Sequence, residues 1–240
     1  SKGSGPKLGF LAGLGGLPRW IPFLDKLAEK RTVIAPSLPG FPGATGHTVL
    51  DNHLDWIVAV RQLLDRAGLS GCDLVGASVG GAYAAEMAAI FPATVKKLVL
   101  IAPFGLFDDK EPANDPWAQR KDQLASVMCA APAAWDAMVS QPEGANSVEW
   151  PIEMTRASEA SARGFWPLGN TQLEKRLKLI AAPTLVLWGS EDRIMPPSYA
   201  QKFVAQINGA SRAEMLAGAG HLAYLDQPEA VAEAVLKHLT

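Results

Sequence analysis

"DLVGASVGGAYAAEMA", residues 73–88, runs from an apolar, strand-like stretch through a glycine-rich turn into a run of alanines that reads as a helix. Phosphate-binding loops and nucleophile elbows share that layout. A phosphate loop needs Lys followed by Ser or Thr after its last glycine, and a dinucleotide turn needs glycines at its first, third and sixth positions. "GASVGG" has no lysine, and Gly76, Gly80 and Gly81 match G-x-S-x-G spacing with Ser78 at the apex. Small residues two before and two after the serine suit a sharp strand-to-helix bend, across which a larger side chain would collide. Ala82, Ala84, Ala85 and Ala88 then let the helix pack close to a sheet.

Around this stretch, short apolar runs alternate with amphipathic ones. "KLGFLAG", "RTVIAPS", "CDLVGA", "KKLVLIAP", "PTLVLWG" and "RAEMLAG" read as strands, and the helical patterns between them predict an α/β fold with a mostly parallel central sheet flanked by helices. In "DNHLDWIVAVRQLLDRAG", Leu54, Ile57, Val60 and Leu64 recur at helical spacing, with Asp51 placed as N-cap and Gly68 as terminator. The order breaks once, where about 70 residues separate "LVLIAPFGLF" from "PTLVLWG", far more than an ordinary crossover needs. A small helical cap is expected there, residues 108–172, leaving 1–107 and 173–240 as the core domain. "PWAQRKDQLASVMCA", "PAAWDAMVS" and "PIEMTRASEASARG" read as cap helices opened by proline. Trp117, Trp135, Trp150 and Trp166, four of the chain's seven tryptophans, fall in the cap and are candidates for lining a substrate cavity.

Composition excludes several classes of function. The chain has 240 residues, 48% hydrophobic and 19% charged, with a formal charge of -2, which suits one globular domain with an insertion. Its Lys and Arg are scattered, so neither nucleic acid nor an anionic membrane is an expected partner. The longest apolar stretches, such as "LGFLAGLGGL", fall short of the roughly 20 residues that span a bilayer. Cys72 and Cys129 have no metal-ligand spacing and read as free thiols in a reducing compartment; the cytoplasm is the expected location. No cluster of His, Cys or acidic residues has ligand spacing, so neither a metal nor another cofactor is expected. The expected partner is a small apolar substrate, and the expected state a monomer or homodimer.

A serine hydroxyl is a poor nucleophile unless a base takes its proton and an acid holds that base in the right tautomer. "LVLWGSEDRIMPP" puts Asp192 just beyond an apolar strand, with Glu191 as a rival, and "LAGAGHLAYLDQPEAV" puts His221 in a glycine-bounded loop before the last helix. The other histidines, His47, His53 and His238, occupy positions expected to be solvated. Ser, then Asp, then His is the chain order of one hydrolase architecture and differs from that of chymotrypsin-like and subtilisin-like proteases.

On "GASVGG", "GSEDRIMPP", "GAGHLAYLDQPEAVAEAV" and "LAGLGGLPRW", the chain resembles the α/β-hydrolase superfamily, and within it the small bacterial esterase-like members with a helical cap. The resemblance implies Ser78 as nucleophile, His221 as general base and acid, Asp192 as the orienting acid, and a cap inserted after the sixth family strand. It implies an oxyanion hole formed by the backbone N–H groups of Val79 and Leu14, and Leu222, next to His221, is a further candidate for substrate contact. Relatives usually carry a histidine where this chain has Ala12 and many carry aspartate at Ser37. The two antiparallel strands that usually open the fold are either absent or trimmed from the sequence before "LGFLAG"; true absence would leave a sheet edge unpaired, and trimming is the expectation.

The resemblance implies hydrolysis of a small to medium apolar or aromatic carboxylic ester through an acyl-enzyme, with an acid limb near pH ~6–7 because the imidazole must be neutral to act. Carbon–carbon bond hydrolases of aromatic-ring degradation products use an equivalent triad. They would need a cation in the cap to hold a substrate carboxylate, for which Arg156 and Arg163 are candidates. A third possibility, of a different class, is a receptor-like or low-turnover binder of the same fold, toward which Ala12 leans.

Overall fold

The computed structural model describes residues 1–169 and 171–240. All six expected strands form: β1 (Lys7–Leu11), β2 (Thr32–Ile34), β3 (Cys72–Ala77), β4 (Val95–Ile101), β5 (Thr184–Gly189) and β6 (Ser211–Leu216). They make one sheet in the order β2-β1-β3-β4-β5-β6, every neighbouring pair parallel. Parallel strands require crossovers, and helices supply them: α1 (Pro22–Ala28) after β1, α2 (His53–Arg66) after β2 and α3 (Ser78–Ile90) after β3. Between β4 and β5 lie α4 (Lys121–Met128), α5 (Pro132–Val139), α6 (Glu149–Phe165) and α7 (Glu174–Leu177). Then come α8 (Tyr199–Gln206) before β6, and α9 (Ala223–Asp226) and α10 (Pro228–Leu239) after it.

The central strands are buried on both faces, as their continuous apolar runs require. Leu74, Val75, Leu98, Val99, Leu100, Leu185, Val186 and Leu187 all lie in the core. Because β2 lies on one side of β1 and β3 on the other, the strand order reverses between β1 and β3. A crevice opens at the carboxyl ends of the strands at such a reversal. At the outer edge of β2, Lys2 forms a single antiparallel bridge with Val33.

Three local expectations shift by a few residues. α2 is capped by Asn52 rather than Asp51, because Asn52 accepts the Asp55 N–H while the Asp55 carboxylate takes the Asn52 N–H, a reciprocal capping box. Its buried face is Trp56, Ile57, Val60 and Leu64; Leu54, roughly 100° around the helix from the centre of that stripe, is exposed. Pro116 opens only one 3₁₀ turn, which Asp115 closes by accepting the N–H groups of Trp117 and Ala118, so α4 begins at Lys121. α6 begins at Glu149, where Asn146 accepts the N–H groups of Val148 and Glu149, and Pro151 falls in the first turn, where no amide donor is needed.

Candidate active site

Ser78 ends β3 and starts α3 with φ 52, in the left-handed region that side chains other than glycine rarely occupy. The bend brings backbones too close for side chains: a Cβ on Gly76 would lie 2.5 Å from the Gly80 carbonyl oxygen, and one on Gly80 would lie 2.4 Å from those of Leu11 and Ala12. The Phe104 N–H, from the loop after β4, donates to the Ser78 carbonyl at 3.0 Å and holds the turn from the far side.

The loops after β3, β5 and β6 bring Ser78, Asp192 and His221 together. Ser78 Oγ and His221 Nε2 are 2.8 Å apart, and His221 Nδ1 is 2.9 Å from Asp192 Oδ2. Asp192 Oδ1 accepts the N–H groups of Ile194 at 2.8 Å and Met195 at 2.9 Å. With Oδ1 so occupied, Oδ2 is free to accept Nδ1–H of the neutral imidazole, which leaves Nε2 unprotonated toward the serine hydroxyl. Ser78 and His221 are both 0% exposed. Glu191, the rival acid, points into solvent beside Arg193.

The loop after β1 lies against the serine. A Cβ on Gly13 would sit 3.0 Å from Ser78 Cβ and 3.0 Å from Leu222 Cδ2, so Gly13, which precedes Leu14, packs against both Ser78 and Leu222. α3 has no side-chain N-cap, so the Val79 N–H is among the first-turn donors without an intrahelical partner. A helix end of this kind carries a partial positive charge suited to an anion.

Aromatic side chains cover this centre unequally. Phe104 lies 5.5 Å from the His221 ring, and Trp117 and Phe165 pack on Phe104 at 6.0 and 5.9 Å. The Trp135 ring edge and Met154 methyl lie 3.2 and 3.7 Å from the Cβ position of Gly15, above the β1 loop. Trp150 instead donates its ring N–H to the Val139 carbonyl at 3.1 Å, tying α6 to α5. Trp166 is 60% exposed and bonds Asp115. Arg156 and Arg163 pair within α6 with Glu153 at 3.2 Å and Glu159 at 2.5 Å. Arg156 also borders an outer groove with Ile152 and Thr155.

The other histidines are less solvated than their sequence positions suggest, because each meets a partner from a distant element. His47 is buried and pairs with Glu159 of α6 at 2.8 Å. His53 donates to the buried Glu86 at 3.1 Å. Burial raises the Glu86 pKa, but hydrogen bonds from Arg176, at 2.6 and 2.5 Å, and from His53 outweigh it and hold the carboxyl below its ordinary range. His238 is buried beside Arg212 and the Pro183 carbonyl. Cys72 and Cys129 are both free thiols, and burial raises the pKa of Cys129.

Asp226 and Tyr224 escaped the sequence reading. The Asp226 carboxylate accepts the N–H groups of Gly220, Ala130 and Ala131, joining the histidine loop to the inserted helices. Tyr224 lies fully buried under the β1 loop. A polar atom on each of two residues within five positions of His221, in an otherwise apolar segment, was the available signal.

Among the described residues, no group of His, Cys, Asp or Glu is placed to hold a metal ion, and no helix is long and apolar enough to cross a membrane. Comparison with known proteins agrees with the fold. The chain is 29% identical over 240 residues to the dihydrolipoyllysine-residue acetyltransferase component of the acetoin cleaving system of Cupriavidus necator, covering 96% of this chain and 62% of that relative's length. It is 28% identical over 232 residues to the 2-hydroxy-6-oxo-6-phenylhexa-2,4-dienoate hydrolase of Comamonas testosteroni, covering 87% of this chain and 76% of that one. An esterase from a Rhodococcus species superposes with a TM-score of 0.73 at 20% identity, covering 98% of this chain and 91% of that one, which establishes a common fold. Residues 10–234 match the alpha/beta hydrolase family, and the chain, an enzyme of the hydrolase type, belongs to that family.

Proposed function

We propose that this chain hydrolyses small to medium apolar or aromatic carboxylic esters through an acyl-enzyme, with Ser78 as nucleophile, His221 as general base and acid, and Asp192 as the orienting carboxylate. The observation that carries the reading is the continuous hydrogen-bond relay from Ser78 Oγ through His221 to Asp192, at 2.8 and 2.9 Å. His221 Nε2 takes the hydroxyl proton as Oγ attacks the ester carbonyl carbon. The N–H groups of Leu14 and Val79 stabilise the oxyanion, each such donor typically contributing roughly 3 kcal/mol. Collapse breaks the bond to the alkoxy oxygen, which leaves as an alcohol with the proton from His221. Water, deprotonated by the same nitrogen, then attacks the acyl carbon, and the acid departs as Oγ regains its proton.

Residues 108–172 act in this proposal as a cap. Full burial of Ser78 and His221 means that substrate reaches them only when the inserted helices shift, a gating step common in enzymes with lids. Phe104, Trp117, Trp135, Phe165 and Leu222 supply an apolar surround for the acyl group. Arg156 and Arg163, the two candidate cations for a substrate carboxylate, are already paired with glutamates of their own helix. That favours an ester over a carbon–carbon hydrolase substrate, the second reading, to which the Comamonas relative lends support.

Ser78→Ala should lower kcat for p-nitrophenyl butyrate by on the order of 10⁵–10⁶. Undiminished hydrolysis in that variant would remove the serine from the mechanism. A fluorophosphonate that labels Ser78, and fails to label the His221→Ala protein, separates an activated nucleophile from a receptor-like site. Faster turnover of a 2-hydroxy-6-oxodienoate than of any nitrophenyl ester would reverse the choice of substrate.

A further inference from the structure

The loop after β1 has to hold a backbone donor in register with the oxyanion, yet Ala12, Gly13, Leu14, Gly15 and Gly16 carry no polar side chain that could anchor it. Its internal support is one turn bond, from the Gly16 N–H to the Gly13 carbonyl at 3.0 Å. Beneath it lies Tyr224 of α9, whose ring packs on Phe10 of β1 and Phe23 of α1 with centroids 5.5 and 5.7 Å apart. The Tyr224 hydroxyl is buried and has no hydrogen-bond partner among the described residues. A buried hydroxyl without a partner carries a desolvation cost that phenylalanine would avoid, so the ring's packing does not explain the oxygen.

The place of that oxygen does. It lies 3.4 Å from the point a Cβ on Gly13 would occupy, and the same point is 3.0 Å from Ser78 Cβ. The hydroxyl and the base of Ser78 therefore both border the same side of Gly13. Tyr224 is also three residues past His221, so one short segment carries both the base and a group touching the loop. Gly13 thus brings loop backbone within reach of this hydroxyl.

We propose that Tyr224 is a positioning residue for the oxyanion loop: its hydroxyl accepts the Gly13 N–H as the loop tightens around the transition state, and thereby keeps the following Leu14 N–H aimed at the oxyanion. Catalytic hydrogen bonds are often long in the free enzyme and shorten only in the substrate complex, which accounts for the open contact in the resting state. The proposal rests on the serine-hydrolase reading above.

Tyr224→Phe keeps the ring contacts and removes only the oxygen. In the full chain, with p-nitrophenyl butyrate as substrate, kcat should fall about tenfold with KM within about twofold, the signature of an interaction made in the transition state. Inhibition by phenylboronic acid, which forms a tetrahedral adduct with an active serine, should weaken by a similar factor, while the thermal midpoint stays level or rises. Unchanged kcat, a change in KM alone, or a kcat loss with undiminished boronate affinity overturns the assignment, since a packing role would not separate ground state from transition state. Ser78→Ala, assayed alongside, keeps the two failures apart. An active Ser78→Ala protein refutes the serine reading, whereas an inactive one beside a fully active Tyr224→Phe protein refutes only the role of Tyr224.

Discussion

Asp192 is anchored to the backbone of its own loop: its Oδ1 accepts the Ile194 N–H at 2.8 Å, and Met195 adds a second donor at 2.9 Å. Only Oδ2 remains for His221. In Asp192→Asn, the two backbone donors would retain the amide oxygen and turn the NH₂ group toward His221 Nδ1. The imidazole would then carry its proton on Nε2 and donate to Ser78 instead of accepting from it. kcat should fall by on the order of 10⁴ with the fold intact, checked by steady-state kinetics and circular dichroism.

The approach of Gly80 to β1 sets a second expectation. A Cβ there would meet the Leu11 and Ala12 carbonyl oxygens at 2.4 Å, and backbone cannot swing aside as a side chain can. Gly80→Ala should destabilise the protein by more than about 2 kcal/mol, as overpacking does, and should impair acyl transfer by displacing the oxyanion loop. Urea unfolding and the rate of fluorophosphonate labelling measure the two effects separately.

Arg176 neutralises Glu86, a fully buried carboxylate on α3. Arg176→Met would leave that charge with only His53 and should cost about 3 kcal/mol, because an unpaired buried ion forfeits its solvation without compensation. Removing both charges, in Glu86→Leu/Arg176→Met, should recover most of the loss. A double variant no more stable than the single one would show that the pair's contribution is not electrostatic.

His238 predicts a slope of stability with pH. Burial is the largest influence holding its pKa below the ordinary histidine value, and Arg212 and Lys97 add to it. The Arg212 guanidinium donates to Nδ1 at 3.1 Å and Nε2–H donates to the Pro183 carbonyl at 3.2 Å, an arrangement only the neutral ring can make. The unfolded chain therefore binds more protons once pH falls below about 6.5, so stability is greatest above that value and declines beneath it. His238→Gln should flatten the decline between about pH 7 and pH 5 in thermal unfolding, relative to the parent protein.

Most of the sheet was legible in local pattern. Every expected strand formed, because strands buried on both faces read as continuous apolar runs and the turns between them are marked by glycine and proline. The elbow was legible for a related reason, since few residue types fit so sharp a bend. Errors came where a neighbour in the chain could do the same job: Asn52 displaced Asp51 as a cap, and Asp115 closed a turn before Pro116 could begin a longer helix. The four tryptophans between residues 108 and 172 could not be told apart in sequence. Trp117 and Trp135 lie over the centre, while Trp150 and Trp166 spend their ring N–H groups on Val139 and Asp115.

By itself the sequence determined the alternation of strands and helices, the glycines that permit the turn at Ser78, and the chain order of serine, acid and histidine. These depend on periodicity and steric fit over a few residues. Tertiary structure decided what depends on distances between remote segments: that Ser78 and His221, 143 residues apart, meet at 2.8 Å, that Arg156 and Arg163 are already paired, and that His47 and His238 are buried. It also decided what stands beside Ala12. A hydroxyl delivered from α9 occupies the space under Gly13, and no local pattern encodes that contact because the two segments lie about two hundred residues apart and touch only when the sheet has closed between them.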